Sequence, residues 1–286
     1  MAHLVSRRGL KRIAARFFPE AVQRRLRGRL YGYHHARVNL TVEYTAADSG
    51  PVLVLDGRVR LPFEESERQE LQHHLVGASL EETSGILKFA ATCRTLFDVG
   101  AATAFYSRLF CACGPDHQAA AYDPSPSQIA IAAARIAYAG AGSRIHLRPS
   151  AVGQAPGRAR VAVAENNFAC VETIASGAPQ IDVEMTSLDH EIERMRLEPD
   201  LLKIDVEGFE YEVLLGAHDL LARRKPPICL ELHLGLLERR GVAPRSVVEL
   251  LQSHGYRFRT YHGRTLSPED VWDSMHAIFR FVAEQA

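Results

Sequence analysis

The chain has 286 residues, 34 basic and 34 acidic side chains, a formal charge of zero and a hydrophobic share of 47%. This composition is typical of a folded globular protein and excludes a largely disordered chain. The longest apolar run, residues 129–134, ends at Arg135 and is far shorter than the roughly 18 residues that a membrane-spanning helix needs. We therefore expect one large domain with an appendage, and no span of a bilayer.

The cysteine pattern and the amino-terminal residues indicate the cellular compartment of the protein. Five cysteines are scattered without the paired spacing of a zinc site, namely Cys93, Cys111, Cys113, Cys170 and Cys229. Lys11, Arg12 and Arg16 occupy the place where an export signal would have its apolar core. We therefore expect a cytoplasmic protein whose thiols are reduced and unpaired.

Residues 1–37 form the first predicted unit, a basic helical segment with ten basic side chains and a single acid, Glu20. Apolar residues recur among the arginines at near-helical intervals. Such a helix can pack on the main domain with a solvated basic face, or contact an acidic partner or the inner, anionic face of a membrane. We favour packing on the domain, because the segment is short and Pro19 interrupts it.

Residues 38–91 form the second predicted unit, a small β-hairpin followed by a helical cap. Alternating and β-branched residues predict strands at residues 40–44 and 52–61, the latter broken by the turn signal Asp56-Gly57. Residues 64–91 have helical spacing. This unit is expected to cover the domain that follows it.

Residues 92–286 alternate strand and helix, which predicts an α/β domain with a parallel sheet. The predicted strands of the sheet are residues 95–99, 118–122, 144–148, 201–206, 228–233, 256–261 and 278–283. The predicted helices are residues 103–113, 127–139, 209–223 and 246–254, and an insertion carries two further strands at 159–164 and 181–185. Because no clear crossover helix separates the last two strands of the sheet, they are expected to be antiparallel.

Open α/β sheets bind ligands at the carboxyl ends of their strands. The first strand ends at Asp98 and continues into the small-residue turn 99–104, where a ligand can approach backbone N–H groups and a helix start. Tight packing of a helix against the strand would also explain small residues here. The turn alone therefore does not distinguish a ligand site from a packing feature. The second strand ends at Asp123-Pro124, where an acid can accept both hydrogen bonds of a ribose diol.

Two nucleotide classes fit poorly. The dinucleotide fingerprint GxGxxG needs three glycines, whereas this turn has only Gly100. A phosphate loop of the form GxxxxGK[ST] does not occur in the chain. A nicotinamide-dependent oxidoreductase is therefore the least favoured interpretation.

Four ionisable residues are expected to meet at the fourth and fifth strand ends. Asp205 and Glu207 are two positions apart, as are Glu231 and His233, and alternation along a strand directs such pairs to one side. Their cluster can hold a base or a divalent cation. The structural alternative is that Glu207 caps the next helix and Lys203 pairs with one carboxylate. We predict the four as catalytic residues and leave the metal open.

Three motifs together resemble the FkbM family of S-adenosylmethionine-dependent methyltransferases. They are Asp98 to Ala101, Asp123-Pro124 and the block Lys203 to Gly208, and the resemblance extends over about residues 90–283. It implies a Rossmann-like methyltransferase sheet of seven strands with helices on both faces. Residues 1–37 lie outside the resemblance.

The same resemblance implies S-adenosylmethionine as the cofactor. The implied cofactor-binding residues are Asp98, Gly100, Ala101, Ala102, Asp123, Pro124, Ser150, Ala151 and Asp205. Asp98 and Gly100 would lie near the methionyl part, Asp123 would bind the ribose, and Ser150 and Ala151 would border the adenine.

Two positions depart from the family pattern, since Ala102 replaces a usual asparagine and Ala104 a usual glycine. If residue 104 needs a positive φ, alanine costs on the order of 1 kcal/mol. The chain is therefore expected to be an O-methyltransferase for a hydroxyl of a sugar, glycan or secondary metabolite, or else a degenerate relative that binds a partner without catalysis. Nucleic acid is not an expected partner, and the sequence carries no code for the acceptor or the oligomeric state.

Overall fold

A computed structural model describes residues 38–47, 50–163, 169–170, 180–274 and 277–285. The predicted basic helix of residues 1–37 lies outside the described residues, as does most of the segment between residues 164 and 179. None of the described helices has the length and apolar character that a membrane span requires.

The strands form one large sheet and two small ones. In chain order they are β1 (Val42–Ala47), β2 (Gly50–Leu55), β3 (Val59–Pro62), β4 (Thr95–Val99), β5 (Gln118–Tyr122), β6 (Ile145–Arg148), β7 (Ala151–Val152), β8 (Gly157–Val163), β9 (Ala169–Cys170), β10 (Gln180–Thr186), β11 (Leu201–Ile204), β12 (Ile228–His233), β13 (Tyr256–Arg259), β14 (Thr265–Leu266) and β15 (Ile278–Gln285).

The helices connect these strands and cover the sheet. They are α1 (Arg68–His74), preceded by the 3₁₀ turn Glu65–Glu67, α2 (Gly77–Phe89), α3 (Phe105–Ala112), α4 (Pro126–Tyr138), α5 (Leu188–Met195), α6 (Glu210–Leu215), α7 (His218–Arg223), α8 (Leu234–Arg239), α9 (Pro244–Ser253) and α10 (Pro268–Trp272).

The large sheet has the strand order β14-β13-β15-β12-β11-β4-β5-β6, in which β6, β5, β4, β11 and β12 are parallel. All seven predicted strands are present, and the two-residue strand β14 adds an eighth at the edge, so the predicted count of seven is one short. The antiparallel arrangement of the last two predicted strands is confirmed, since β13 pairs antiparallel with β15. The α/β fold that the sequence predicts is therefore the fold of the chain.

The central strands are mostly apolar and buried because both faces of the sheet are covered. In β11, Leu201, Leu202 and Ile204 are apolar and fully buried. Lys203 is the polar residue of this strand, and it is also buried, with 2% of it exposed. Strand β4 lies between β5 and β11, so the order of the strands reverses there. The carboxyl ends of these strands meet at this point, which is where such sheets bind ligands.

The appended units differ in detail from the prediction. The predicted hairpin is a three-stranded antiparallel sheet, because Asp56 and Gly57 both have positive φ and form a tight turn between β2 and β3. The insertion strands are confirmed as β8 and β10, which pair in a separate four-stranded sheet. The predicted helix 209–223 is two helices, α6 and α7, separated at Gly216.

The cap is joined to the main domain through buried charges. Glu67, just before α1, forms a salt bridge of 2.6 Å with Arg108 of α3, and both side chains are fully buried. Arg135 of α4 lies 3.3 Å from the same carboxylate. These contacts hold α1 over the carboxyl end of the sheet.

The described cysteines agree with the prediction of unpaired thiols. Cys93, Cys111 and Cys229 are buried, Cys113 is partly buried, and all four are free. The side chain of Cys170 lies outside the part of the chain whose side chains are described.

Candidate functional site

A cavity of about 760 Å³ lies at the carboxyl ends of β4, β5, β11 and β12. Helix α1 contributes Gln69, Glu70, His73 and His74 to its lining. Its volume is within the range of small-molecule sites, which is about 300–1,000 Å³. The cavity is thus both where the fold predicts a ligand and large enough to hold one.

The turn after β4 forms one wall of the cavity. Gly100 has a φ of 79°, and a Cβ there would lie 1.7 Å from the carbonyl oxygen of Asp205. Ala102 and Ala104 also have positive φ, at 46° and 61°, which confirms the expectation for position 104. Ala101 and Ala102 line the cavity, and the fully buried Ala104 does not. The alanines therefore strain the turn without closing the cavity.

Asp123 stands beside this turn, at the end of β5. Its Oδ2 accepts a hydrogen bond of 2.9 Å from the Ala102 N–H, and its Oδ1 one of 2.8 Å from the Ser125 N–H. Burial raises the pKa of Asp123 to about 6, although both N–H groups oppose the shift. Asp123 and Pro124 both line the cavity. Each carboxylate oxygen keeps a further lone pair for a ligand hydroxyl.

The end of β6 supplies the next part of the wall, where Ser150 and Ala151 line the cavity. The Oγ of Ser150 is buried and has no hydrogen-bond partner among the described residues. A buried hydroxyl without a partner is rare in folded proteins, so a polar ligand atom would satisfy it. Both residues therefore line the same cavity as Asp123.

Asp98 lies near the end of β4, next to the turn. It is fully buried and does not line the cavity, because its side chain points to α3, where its Oδ2 accepts a hydrogen bond of 2.7 Å from the Ser107 Oγ. Burial raises its pKa above the ordinary value for a carboxyl group. Asp98 therefore contacts α3 through one carboxylate oxygen, while its other oxygen, Oδ1, is buried and has no hydrogen-bond partner among the described residues.

The four ionisable residues predicted to converge do so. The His233 Nε2 lies 3.3 Å from Glu207 Oε2, 3.7 Å from Glu231 Oε1 and 3.8 Å from Asp205 Oδ1. The His233 Nδ1 lies 2.7 Å from Oε1 of a fifth residue, the fully buried Glu210. Asp205, Glu207 and Glu231 line the cavity, whereas His233 lies behind them.

Two cations contact the carboxylates of this cluster. The Lys203 Nζ lies 3.3 Å from Asp205 Oδ2, as the structural alternative predicts for this lysine. Arg280 of β15 donates a hydrogen bond of 2.6 Å from its Nε to Glu231 Oε2. The predicted capping role of Glu207 is not observed, since the residue at the start of α6 is Phe209.

The charges of the cluster shift the pKa values of its members in different directions. Burial favours the neutral form of Asp205, but the Lys203 and His233 cations hold its pKa below the ordinary value. Burial and the Asp205 charge raise the pKa of Glu231. Burial opposes a charged imidazole, but the hydrogen bond to Glu210 raises the pKa of His233 to about 9. In the protein alone, His233 therefore retains its proton at neutral pH, while Asp205 is ionised.

One wall of the cavity comes from aromatic residues that the sequence did not predict as site residues. His74 of α1 stacks on Phe105 with 4.0 Å between ring centroids and an interplanar angle of 11°. Burial lowers the pKa of His74 to about 4, so its imidazole is neutral at pH 7. Tyr106 lies against Lys203, whose Nζ is 5.0 Å from the ring centroid. These aromatic groups give this wall an apolar surface.

Glu70 joins the cap to the turn after β4 and to α4. It accepts hydrogen bonds of 2.5 Å from the Thr103 hydroxyl and 2.8 Å from Arg135 Nη1. No local motif reveals this residue, because its partners are more than thirty positions away in the sequence. The pair His73-His74, near Glu70 in the predicted helical cap, was the local feature that could have indicated a contribution of this segment to the site.

Comparisons with solved structures give matches of low identity. A methyltransferase FkbM from Methylobacillus flagellatus KT is 14% identical with a TM-score of 0.42, and the match covers 67% of this chain and 43% of that chain. An O-methyltransferase from Bacillus cereus, solved in complex with SAH, is 12% identical with a TM-score of 0.46, covering 78% and 92%. The O-methyltransferase TomG from Streptomyces achromogenes, in complex with SAM, is 11% identical with a TM-score of 0.44, covering 79% and 92%.

Sequence comparisons address the family directly. No curated protein matches the chain. Residues 98–258, more than half of the chain, match the family profile described as the methyltransferase FkbM domain. The matched region contains the three motifs and every predicted site residue. The chain belongs to the FkbM methyltransferase family.

Proposed function

We propose that this chain transfers the methyl group of S-adenosylmethionine to a hydroxyl oxygen of a sugar, glycan or secondary metabolite. The observation that carries the proposal is one cavity with two unlike walls. One wall is the strained turn after β4 with Asp123 and Ser150, and the other end holds the carboxylates of Asp205 and Glu207. Membership of a methyltransferase family supports the reaction type.

The wall formed by β4, β5 and β6 fits the cofactor. Asp123 can accept the ribose hydroxyls, and the Ser150 hydroxyl can bind a polar atom of the adenine. Gly100 and Ala101 allow a ligand to approach the backbone closely. When bound, the cofactor supplies a methyl group on a positively charged sulfur.

The chain must bring the acceptor oxygen to the methyl carbon and remove its proton. In-line transfer needs the two reacting atoms roughly 3 to 3.5 Å apart. Asp205 and Glu207 face the cavity with 29% and 39% of their side chains exposed, so both can hydrogen-bond an acceptor hydroxyl. A hydroxyl holds its proton tightly at pH 7, which is why a carboxylate at this position matters.

The charge of the cavity favours a neutral acceptor. The carboxylates that line it are Glu70, Asp123, Asp205, Glu207 and Glu231, and the cations that line it are Lys203 and Arg280. Negative charge exceeds positive charge, so the phosphates of a nucleic acid would be repelled. A polyol or another uncharged hydroxyl compound fits this balance.

Calorimetric titration and a turnover assay test the proposal. We expect the wild-type chain to bind S-adenosylmethionine and not NAD, and to methylate members of a panel of hydroxylated sugars and polyketide alcohols. Asp205→Asn should lose turnover while the chain remains folded. Binding of NAD alone would refute the proposal in favour of an oxidoreductase. Binding of neither, with no turnover, would favour the degenerate relative that the strain at Ala102 and Ala104 suggests.

A further inference from the structure

We propose that Asp205, Glu231 and His233 bind one divalent first-row cation at the carboxylate end of the cavity. The role we assign to the cation, which is to hold the acceptor hydroxyl, rests on the proposed function. The binding itself follows from the positions and partners of these three side chains.

The three side chains already lie close to a ligand geometry. One oxygen or nitrogen of each lies within 4.8 Å of the others. The His233 Nε2 is 3.8 Å from Asp205 Oδ1 and 3.7 Å from Glu231 Oε1. A cation about 2.1 Å from each atom needs ligand atoms about 3.0 to 3.5 Å apart. Side-chain movements of less than about 1 Å therefore complete the site.

Each carboxylate has one oxygen held by a cation and the other turned to His233. On Asp205, Oδ2 contacts Lys203 at 3.3 Å, and Oδ1 faces the imidazole. On Glu231, Oε2 contacts Arg280 at 2.6 Å, and Oε1 faces the imidazole. The two outer cations thus orient the two inner oxygens. In metal sites, outer hydrogen-bond and ion-pair partners commonly fix the orientation of the ligands in this way.

The imidazole is oriented by its own carboxylate. Glu210, whose side chain is fully buried, lies 2.7 Å from His233 Nδ1 and also accepts a hydrogen bond of 3.0 Å from the Gly208 N–H. A carboxylate that holds the Nδ1–H fixes the tautomer whose Nε2 lone pair is available to a metal. The available nitrogen is the one that faces Asp205 and Glu231.

The residue types of the cluster also suit a divalent cation. Four carboxylates lie within 3.8 Å of a His233 ring nitrogen, namely Asp205, Glu207, Glu210 and Glu231. Lys203 contacts Asp205, and Arg280 contacts Glu231. A cation bound here would take the place of the proton that His233 Nε2 carries in the protein alone. Two carboxylates with one imidazole suit Mn²⁺, Fe²⁺ or Zn²⁺.

With a bound cation, the two exposed carboxylates, Asp205 and Glu207, would have different catalytic roles. Asp205 would hold the cation, whose charge would lower the pKa of an acceptor hydroxyl, and Glu207 would accept the proton of that hydroxyl. The oxygen then forms a bond to the methyl carbon, while the carbon–sulfur bond breaks and its electron pair remains on sulfur.

Titration of the full-length chain with MnCl₂, followed by the electron paramagnetic resonance signal of free Mn²⁺, tests the site. We expect one Mn²⁺ per chain. Asp205→Asn and Glu231→Gln should weaken the affinity at least about tenfold, and Glu210→Gln by about 10- to 100-fold. The matched control is Glu70→Gln, which removes a cavity carboxylate outside the site and should change the affinity less than about twofold. Circular dichroism verifies that each variant is folded.

Two results would overturn the proposal: no Mn²⁺ binding by the wild-type chain at millimolar concentration, or an equal loss of affinity in Glu70→Gln. Calorimetric titration with S-adenosylhomocysteine on the same protein separates this proposal from the proposed function. Product binding without Mn²⁺ binding overturns the cation site alone. Mn²⁺ binding that depends on Asp205 and Glu231, without cofactor or product binding, supports the site and overturns the methyltransferase function.

Discussion

The raised pKa of Asp123 predicts that cofactor affinity falls in mild acid. The ribose hydroxyls donate to the carboxylate, so the ligand binds its ionised form, and protons compete with the ligand. With a pKa of about 6 in the free protein, the apparent dissociation constant should rise about 11-fold at pH 5 and stay nearly constant above pH 7. Titration calorimetry with S-adenosylhomocysteine at half-unit steps from pH 5 to pH 8 measures this profile.

The matched control for this prediction is Asp123→Asn. The amide keeps an acceptor oxygen for one of the two N–H groups of Ala102 and Ser125, which donate to different oxygens of Asp123, and it has no proton to titrate near pH 6. We expect weaker binding overall and a profile without the 11-fold change. A flat profile in the wild-type chain, or the same slope in the variant, would show that Asp123 does not hold the ribose.

Three substitutions test the architecture around the cavity. Gly100→Ala should lower the unfolding free energy by more than about 2 kcal/mol and abolish cofactor binding, because its Cβ would lie 1.7 Å from the Asp205 carbonyl oxygen; unchanged urea unfolding would contradict the turn geometry. Ala102→Gly should raise the unfolding free energy by about 1 kcal/mol by relieving a φ of 46°, and a lowered thermal midpoint would oppose this. Glu67→Gln should cost about 3 to 5 kcal/mol in urea unfolding, since it leaves Arg108 buried and unpaired; a cost below 1 kcal/mol would show that this pair does not anchor the cap.

The sheet and most of the site were predictable because their signals are local. Buried parallel strands are continuous apolar runs, and the ends of neighbouring parallel strands share one edge of the sheet. That rule alone places Asp123, Asp205 and Glu231 at one cavity. It also explains why Gly100 could be identified before its contact with a neighbouring strand was known.

The prediction was incomplete where distant segments meet. Arg280 reaches Glu231 from an antiparallel strand 49 positions later, and His74 and Glu70 reach the cavity from the cap. No pattern within one segment encodes these contacts. The contact of Asp98 with Ser107 could not be predicted either, because the position of a residue in a motif does not say which face of the strand its side chain occupies.

The most direct test of the central claim is a crystal structure of the chain with bound S-adenosylhomocysteine. The account predicts the ribose on Asp123, the adenine beside Ser150, and the sulfur directed across an open gap toward Asp205 and Glu207. A ligand bound elsewhere, or a cavity that excludes it at saturating concentration, would contradict the account.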